Sequence, residues 1–190
     1  MITKDRRYWS FECRADQNEA AVEGYAAVFN TPTVMYEYDG IKYSEKVDRG
    51  AFDQAQMSDV VMNFNHGGKP VARTKNGTLK LSIDDYGLKV HADLSGTTES
   101  RALYEEIKAG LIDKMSFAFT VGEESYDRDT RTRTIKAIKR VFDVAAVDFP
   151  AYESTAITAR SYFEAEAERE RAEARQALEL AKAKYNYLKG

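Results

Sequence analysis

A chain of 190 residues has room for one domain of about 150 residues and an appendage. Hydrophobic residues make up 43% and aromatics 12%, enough for a real core, and the formal net charge of -3 gives no global electrostatic case for nucleic acid or a membrane surface. Apolar runs are short, so no helical membrane span is expected. The single cysteine, Cys13, excludes an internal disulfide and any two-cysteine metal site. Residues Met1 to Arg7 have no apolar stretch of the secretory kind, and a reducing, cytoplasmic setting is expected. His66 and His91 are the two histidines, so any histidine chemistry must use one or both.

Two strands are expected first, over 8–13 and 21–29, with a polar connection between them. Gly24 inside the second suggests a bulge or a close backbone approach. Residues 30–44 read as a tyrosine-rich loop, and 45–52 lead into a short helix ending near Gln56. Val60 to His66 has strand composition. His66 falls at its end, before Gly67-Gly68-Lys69-Pro70, where it could serve chemistry or simply cap a loop. Leu79–Ile83 and Leu88–Leu94 alternate cleanly around Asp84-Asp85-Tyr86-Gly87 and predict a hairpin, with His91 on its solvent side. Thr97 or Thr98 then caps a helix running to about Ala109, and Gly110 stands where a C-terminal cap belongs.

From Met115 the period becomes two. Met115, Phe117 and Phe119 share one face; Ser116, Ala118 and Thr120 share the other. A lone hydroxyl on a face of small side chains leaves room for a substrate backbone, although a half-buried strand also favours serine for its size. Residues 123–140 predict a second hairpin turning near Asp127-Arg128-Asp129. Its basic second arm reads as an edge strand guarded by charge. Val141 to Phe149 is the most apolar strand. It carries Asp143 and Asp148, five residues apart and therefore on opposite faces. A carboxylate in such a strand needs a partner. The folded domain is expected to span 1–160. Ser161 to Lys189, rich in Ala, Glu, Arg and Lys, predicts a helix of roughly 28 residues, about 42 Å long. Ala174, Leu178, Ala181, Tyr185 and Leu188 form a weak heptad stripe on it, and residues 161–190 are expected to act as a docking or scaffold-like extension.

Several motifs in order carry a resemblance. They are Gly24-Tyr25-Ala26-Ala27-Val28-Phe29, Glu45-x-Val47-x-x-Gly50-Ala51-Phe52, His66, Gly77-Thr78-Leu79 and Asp85-x-Gly87-Leu88. Gly110-x-Ile112-x-x-Met115-Ser116-Phe117-x-Phe119 and Pro150-Ala151-Tyr152-x-x-Thr155 complete the set. Over residues 20 to 160 the chain resembles the prohead (procapsid maturation) protease family of tailed bacteriophages. That family is similar in fold and site to herpesvirus assemblin. The resemblance implies an α+β fold, mainly an antiparallel β-barrel core flanked by short helices, with the long C-terminal helix appended. It implies a serine endopeptidase with Ser116 as nucleophile, His66 as base and Asp143 as the third member. Asp143-Val144-Ala145 stands where the family has Glu-Val-Ser, one methylene shorter at the carboxylate. For the oxyanion, assemblin-like enzymes use the loop after the third strand. Pro150 has no N–H, which leaves the backbone amide of Ala151 or Tyr152.

From the residues alone, Asp143, Asp148, Glu153 and His91 are the candidates to orient His66; the resemblance selects Asp143. No cofactor and no metal are expected. The expected partners are a major capsid protein or its scaffold segment, and the chain itself, through autoprocessing or as an oligomer, with no nucleic acid and no membrane. The expected place is the host cytoplasm, inside the viral procapsid during assembly. The alternative is a non-catalytic capsid assembly or scaffold protein that keeps a protease-like fold.

Overall fold

The computed structural model describes residues 5–9, 13–15, 20–148 and 156–189. Eleven strands and two helices follow in chain order. β1 (Asp5–Trp9), β2 (Cys13–Ala15) and β3 (Ala21–Val28) open the fold. β4 (Thr33–Tyr38), β5 (Ile41–Val47), β6 (Val61–Phe64) and β7 (Gly67–Arg73) follow. β8 (Leu79–Ile83), β9 (Gly87–Asp93) and helix α1 (Thr98–Lys108) lead to the long hairpin of β10 (Lys114–Asp127) and β11 (Thr132–Val147). Helix α2 covers Ala156–Lys189. The class is α+β, as expected. The barrel is a different matter: the strands divide into a seven-stranded sheet and a four-stranded sheet ordered β2-β3-β9-β8, and neither closes on itself among the described residues.

β11 is the spine of the larger sheet. One edge pairs antiparallel with β10, which pairs in turn with β1. The other edge holds β5 and β6 end to end, both parallel. Between them the chain stays attached: the N–H of Asp48 donates to Ile135 O, Gln56 N–H to Lys139 O, and Val141 N–H to Gln56 O. The basic arm is therefore an interior strand and not the charge-guarded edge expected from its composition. Arg133 is 5% exposed and donates to Glu45 Oε2 at 2.9 Å and, from Nε, to Glu124 Oε2 at 3.0 Å.

Other expectations shift in the same way. The stretch read as one strand over 8–13 is split. β1 belongs to the larger sheet and β2 to the smaller, with residues 10–12 outside the described residues. The tyrosine-rich loop is a hairpin, β4–β5, turned by Asp39 and Gly40, both at positive φ. The short helix after it is a 3-10 turn over Arg49–Phe52. The bulge suspected near Gly24 lies between Tyr25 and Ala27. The close approach belongs to Gly87, where a Cβ would sit 2.0 Å from Ala27 O.

Side chains of both sheets and α1 merge into one core that includes Val22, Leu88, Leu103, Ile107, Phe117 and Val144. The Phe117 and Phe119 rings stack at 4.5 Å, with Phe52 at 5.8 Å from Phe117. α1 is fixed at both ends. Thr97 accepts from Ser100 N–H, and Gly110, at φ +73, closes the C-terminus with its N–H on Ile107 O and Leu111 N–H on Glu106 O. Ser100 Oγ donates to Val71 O at 2.7 Å, tying the helix to β7.

The boundary expected after residue 160 falls inside α2. Phe163 and Ala167 are buried against Tyr43, with Met35, Tyr36, Tyr126 and Tyr162 around them. Tyr162 lies under the Arg133 guanidinium at 4.5 Å, and Arg131 and Arg128 reach Glu170 and Glu173 at 3.2 and 2.9 Å. From Ala174 to Tyr185, and again at Tyr187 and Leu188, the helix is exposed. Phe163→Ala should lower unfolding free energy by about 3 kcal/mol in a urea titration. Leu178→Ala, on the exposed half, should leave it within about 0.5 kcal/mol.

Candidate active site

Ser116 stands on β10 opposite Ala145 of β11, and Ala118 stands opposite Asp143. Directly paired residues share a face, so Ser116, Ala118, Asp143 and Ala145 look the same way. The face is as small-chained as the alternation predicts. It is also fully buried at Ser116, Ala118 and Ala145.

Asp143 reaches that face through a bulge. The register runs Ala118 to Asp143 and then Phe119 to Val141, so Phe142 is the extra residue on β11. A bulge reverses the alternation beyond it. Val141 consequently turns into the core with Phe119, while Asp143 turns toward Ser116. Simple alternation, which groups Val141 with Asp143 and Ala145, fails at this point.

His66 arrives by a turn instead of a strand end. β6 stops at Phe64, and Phe64 pairs with Gly67 across a two-residue connection, Asn65-His66. Both residues have positive φ, +48 and +55. Tight hairpins prefer such geometry, but histidine is an unusual occupant, and the conformation costs a non-glycine residue about 1–2 kcal/mol. The turn is anchored from below: Asn65 N–H donates to Ala146 O at 3.0 Å, and Asp148 N–H donates to Asn65 Oδ1 at 3.4 Å. The Gly67-Gly68-Lys69-Pro70 segment is the start of β7 and not a loop.

The three side chains meet in line. His66 Nε2 lies 2.8 Å from Ser116 Oγ. Its Nδ1 is hydrogen-bonded to Asp143 Oδ1. The imidazole has no exposed surface and the Asp143 side chain is 12% exposed. Each ring nitrogen has a different partner, so the bond at Nδ1 fixes which nitrogen faces the serine. A hydroxyl, an imidazole acting on it and a carboxylate holding the imidazole form the constellation of an activated nucleophile.

The other candidates lie elsewhere. Asp148 follows the end of β11 and is exposed. His91 is on β9, with Nδ1 3.2 Å from Glu23 Oε1, on the half-exposed face expected for it. Glu153, Ala151 and Tyr152 lie outside the described residues. The turn at Asn65-His66 has a signal in the sequence: Asn65, and the Gly67-Gly68 pair directly after His66, stand between two strand-like runs.

The model of a family described as caudovirus prohead serine protease matches residues 9–169. No curated protein and no solved structure matches the chain.

The hydrogen bond between His66 Nδ1 and Asp143 has a spectroscopic consequence. A strongly downfield imidazole N–H proton resonance is expected in the native chain. It should vanish in Asp143→Asn and persist in Asp148→Asn; the opposite pattern would place the carboxylate contact at Asp148.

Proposed function

Since the chain belongs to the caudovirus prohead serine protease family, and is thereby a phage capsid-maturation protease, we propose that Ser116, His66 and Asp143 are its nucleophile, base and orienting carboxylate. The observation that carries this reading is the line of contacts from Ser116 Oγ through both His66 nitrogens to Asp143, inside the matched span.

The chemistry follows from that line. Ser116 Oγ attacks a peptide carbonyl carbon while His66 Nε2 takes the hydroxyl proton. Asp143 keeps the Nδ1 proton in place and stabilises the imidazolium formed. The tetrahedral intermediate collapses when His66 returns the proton to the departing amine. Water, deprotonated by the same nitrogen, then releases the acyl group from Ser116. The developing oxyanion needs preorganised donors, and the amide of Ala151 or Tyr152 is assigned that role. No step uses a metal. The substrates are capsid or scaffold segments and the chain itself, met inside the procapsid.

The exposed half of α2 has a separate task. Its stripe of Ala174, Leu178, Ala181, Tyr185 and Leu188 is exposed, while Phe163 and Ala167 of the first turns are buried against Tyr43. We propose that this half docks the enzyme to a helical segment of capsid or scaffold protein.

Incubation with the candidate capsid protein tests the first reading. Discrete fragments are expected from the native chain, unaffected by chelators. Ser116→Ala or His66→Ala should reduce the rate by about 10⁶, and Asp143→Asn by about 10⁴ with the fold retained. Near-normal cleavage by Ser116→Ala would sink the assignment. Truncation after Glu173 should preserve peptide cleavage and reduce incorporation into procapsids; equal incorporation would remove the docking role.

A further inference from the structure

A cleft of about 750 Å³ lies beside the turn that carries His66. Asn65 and Gly67, its two chain neighbours, line this cleft, and so does Ile112, four residues before Ser116. Ser116 itself does not. The cleft thus flanks the reacting groups without containing them, which is where the polypeptide on one side of a scissile bond would lie. Its volume fits a few side chains.

The surface has two chemical characters. Phe64, Val71, Leu103, Leu111 and Ile112 provide an apolar floor. Phe64 is 39% exposed and Leu111 is 73% exposed. Apolar surface held in water beside a reactive centre is surface that a ligand can cover favourably. The rim is acidic: Glu99, Glu106 and Asp148 against Lys69. Lys69 Nζ already lies 2.6 Å from Glu99 Oε1 and holds that carboxyl below its usual range. The charge of the lining is therefore negative, three carboxylates to one ammonium. It would repel an acidic segment and attract a basic one.

We propose that this cleft selects substrate, binding on one side of the scissile bond a segment with a bulky apolar side chain and a lysine or arginine close to it. The proposal rests on the protease reading and adds the substrate class. Leu111 and Phe64 would contact the apolar side chain, and Glu106 would face the cation.

The test uses the full chain and a mixture of randomised dodecapeptides, with products sequenced by mass spectrometry. Cleaved peptides should favour Lys or Arg over Glu by about fivefold within a few residues of the cut, on one side only. A bulky apolar residue should be enriched on the same side. The basic preference should shrink in 1 M salt, where screening acts over about 3 Å. Glu106→Lys should remove or reverse it, Glu106→Gln should weaken it, and Leu111→Ser should weaken the apolar enrichment. Labelling of Ser116 by a fluorophosphonate reports whether each variant is folded. Cleavage with no charge preference, or with one that survives Glu106→Lys and Glu106→Gln, overturns the role of the cleft and leaves the protease reading standing. A native chain that neither labels nor cleaves overturns both.

Discussion

The antiparallel ladder between β10 and β11 is the constraint on which the rest of the molecule depends. It sets Ser116 opposite Ala145 and Asp143 opposite Ala118, so two of the three site side chains are placed by backbone pairing alone. The free edge of β11 then places the third. β6 runs parallel along it from Asp143 to Ala146, and the bond from Asn65 N–H to Ala146 O holds the turn on which His66 sits. A slip of one residue in this ladder would leave Ser116 and Asp143 on opposite faces of the sheet. The apolar faces of both strands resist that slip, because Met115, Phe117, Val144 and Ala146 are fully buried on the opposite side.

Two local departures from regular structure make the site possible, and both cost energy. The extra residue at Phe142 interrupts the ladder and re-aims Asp143. The positive φ of His66 costs about as much as a hydrogen bond contributes. Each cost is offset where it arises. Val141, on the far side of the bulge, is fully buried, and the imidazole, with no exposed surface of its own, engages partners at both nitrogens. Low local dielectric strengthens these bonds and also makes an unpaired member expensive, so the three side chains hold one another in place.

Much of this was legible in the residues. The alternation from Met115 marks β10, Gly110 marks the end of α1, and the β8–β9 hairpin follows from strict alternation around a polar turn. What stayed hidden was long-range. Nothing local in Thr130 to Arg140 shows that two other segments will add to its free edge. Its arginines therefore suggest a solvated border, although Arg133 is satisfied by Glu45 and Glu124 from elsewhere in the chain. Bulges are equally invisible to a period of two, so alternation alone puts Val141 on the face of Asp143 although it is buried in the core with Phe119. The β4–β5 hairpin is a different kind of omission. Asp39-Gly40 between alternating tyrosines is a strong local turn signal, outweighed there by a composition that resembles a loop.

The length of the β10–β11 hairpin separates two tasks. The site lies near its open end, at Ser116 and Asp143, whereas α2 packs near its turn, where Arg131, Arg128 and Tyr126 meet Glu170, Glu173 and Tyr162. From Ser116 to Glu124, beside the Arg133 cluster, the strand advances eight residues, about 26 Å. Over that distance the ladder is interrupted by register shifts, first after Ala118 and then between Thr120 and Glu124, and the Glu45–Arg133–Glu124 cluster ties the strands together at the helix end. Removing one member of such a cluster would leave a charge buried without its partner, which is far more damaging than losing an exposed pair. The turn end is therefore the seat of α2. The helix seat and the candidate site are thus built from different residues of the same two strands, and Tyr126, Arg128, Arg131 and Arg133 can be changed without touching Ser116, His66 or Asp143.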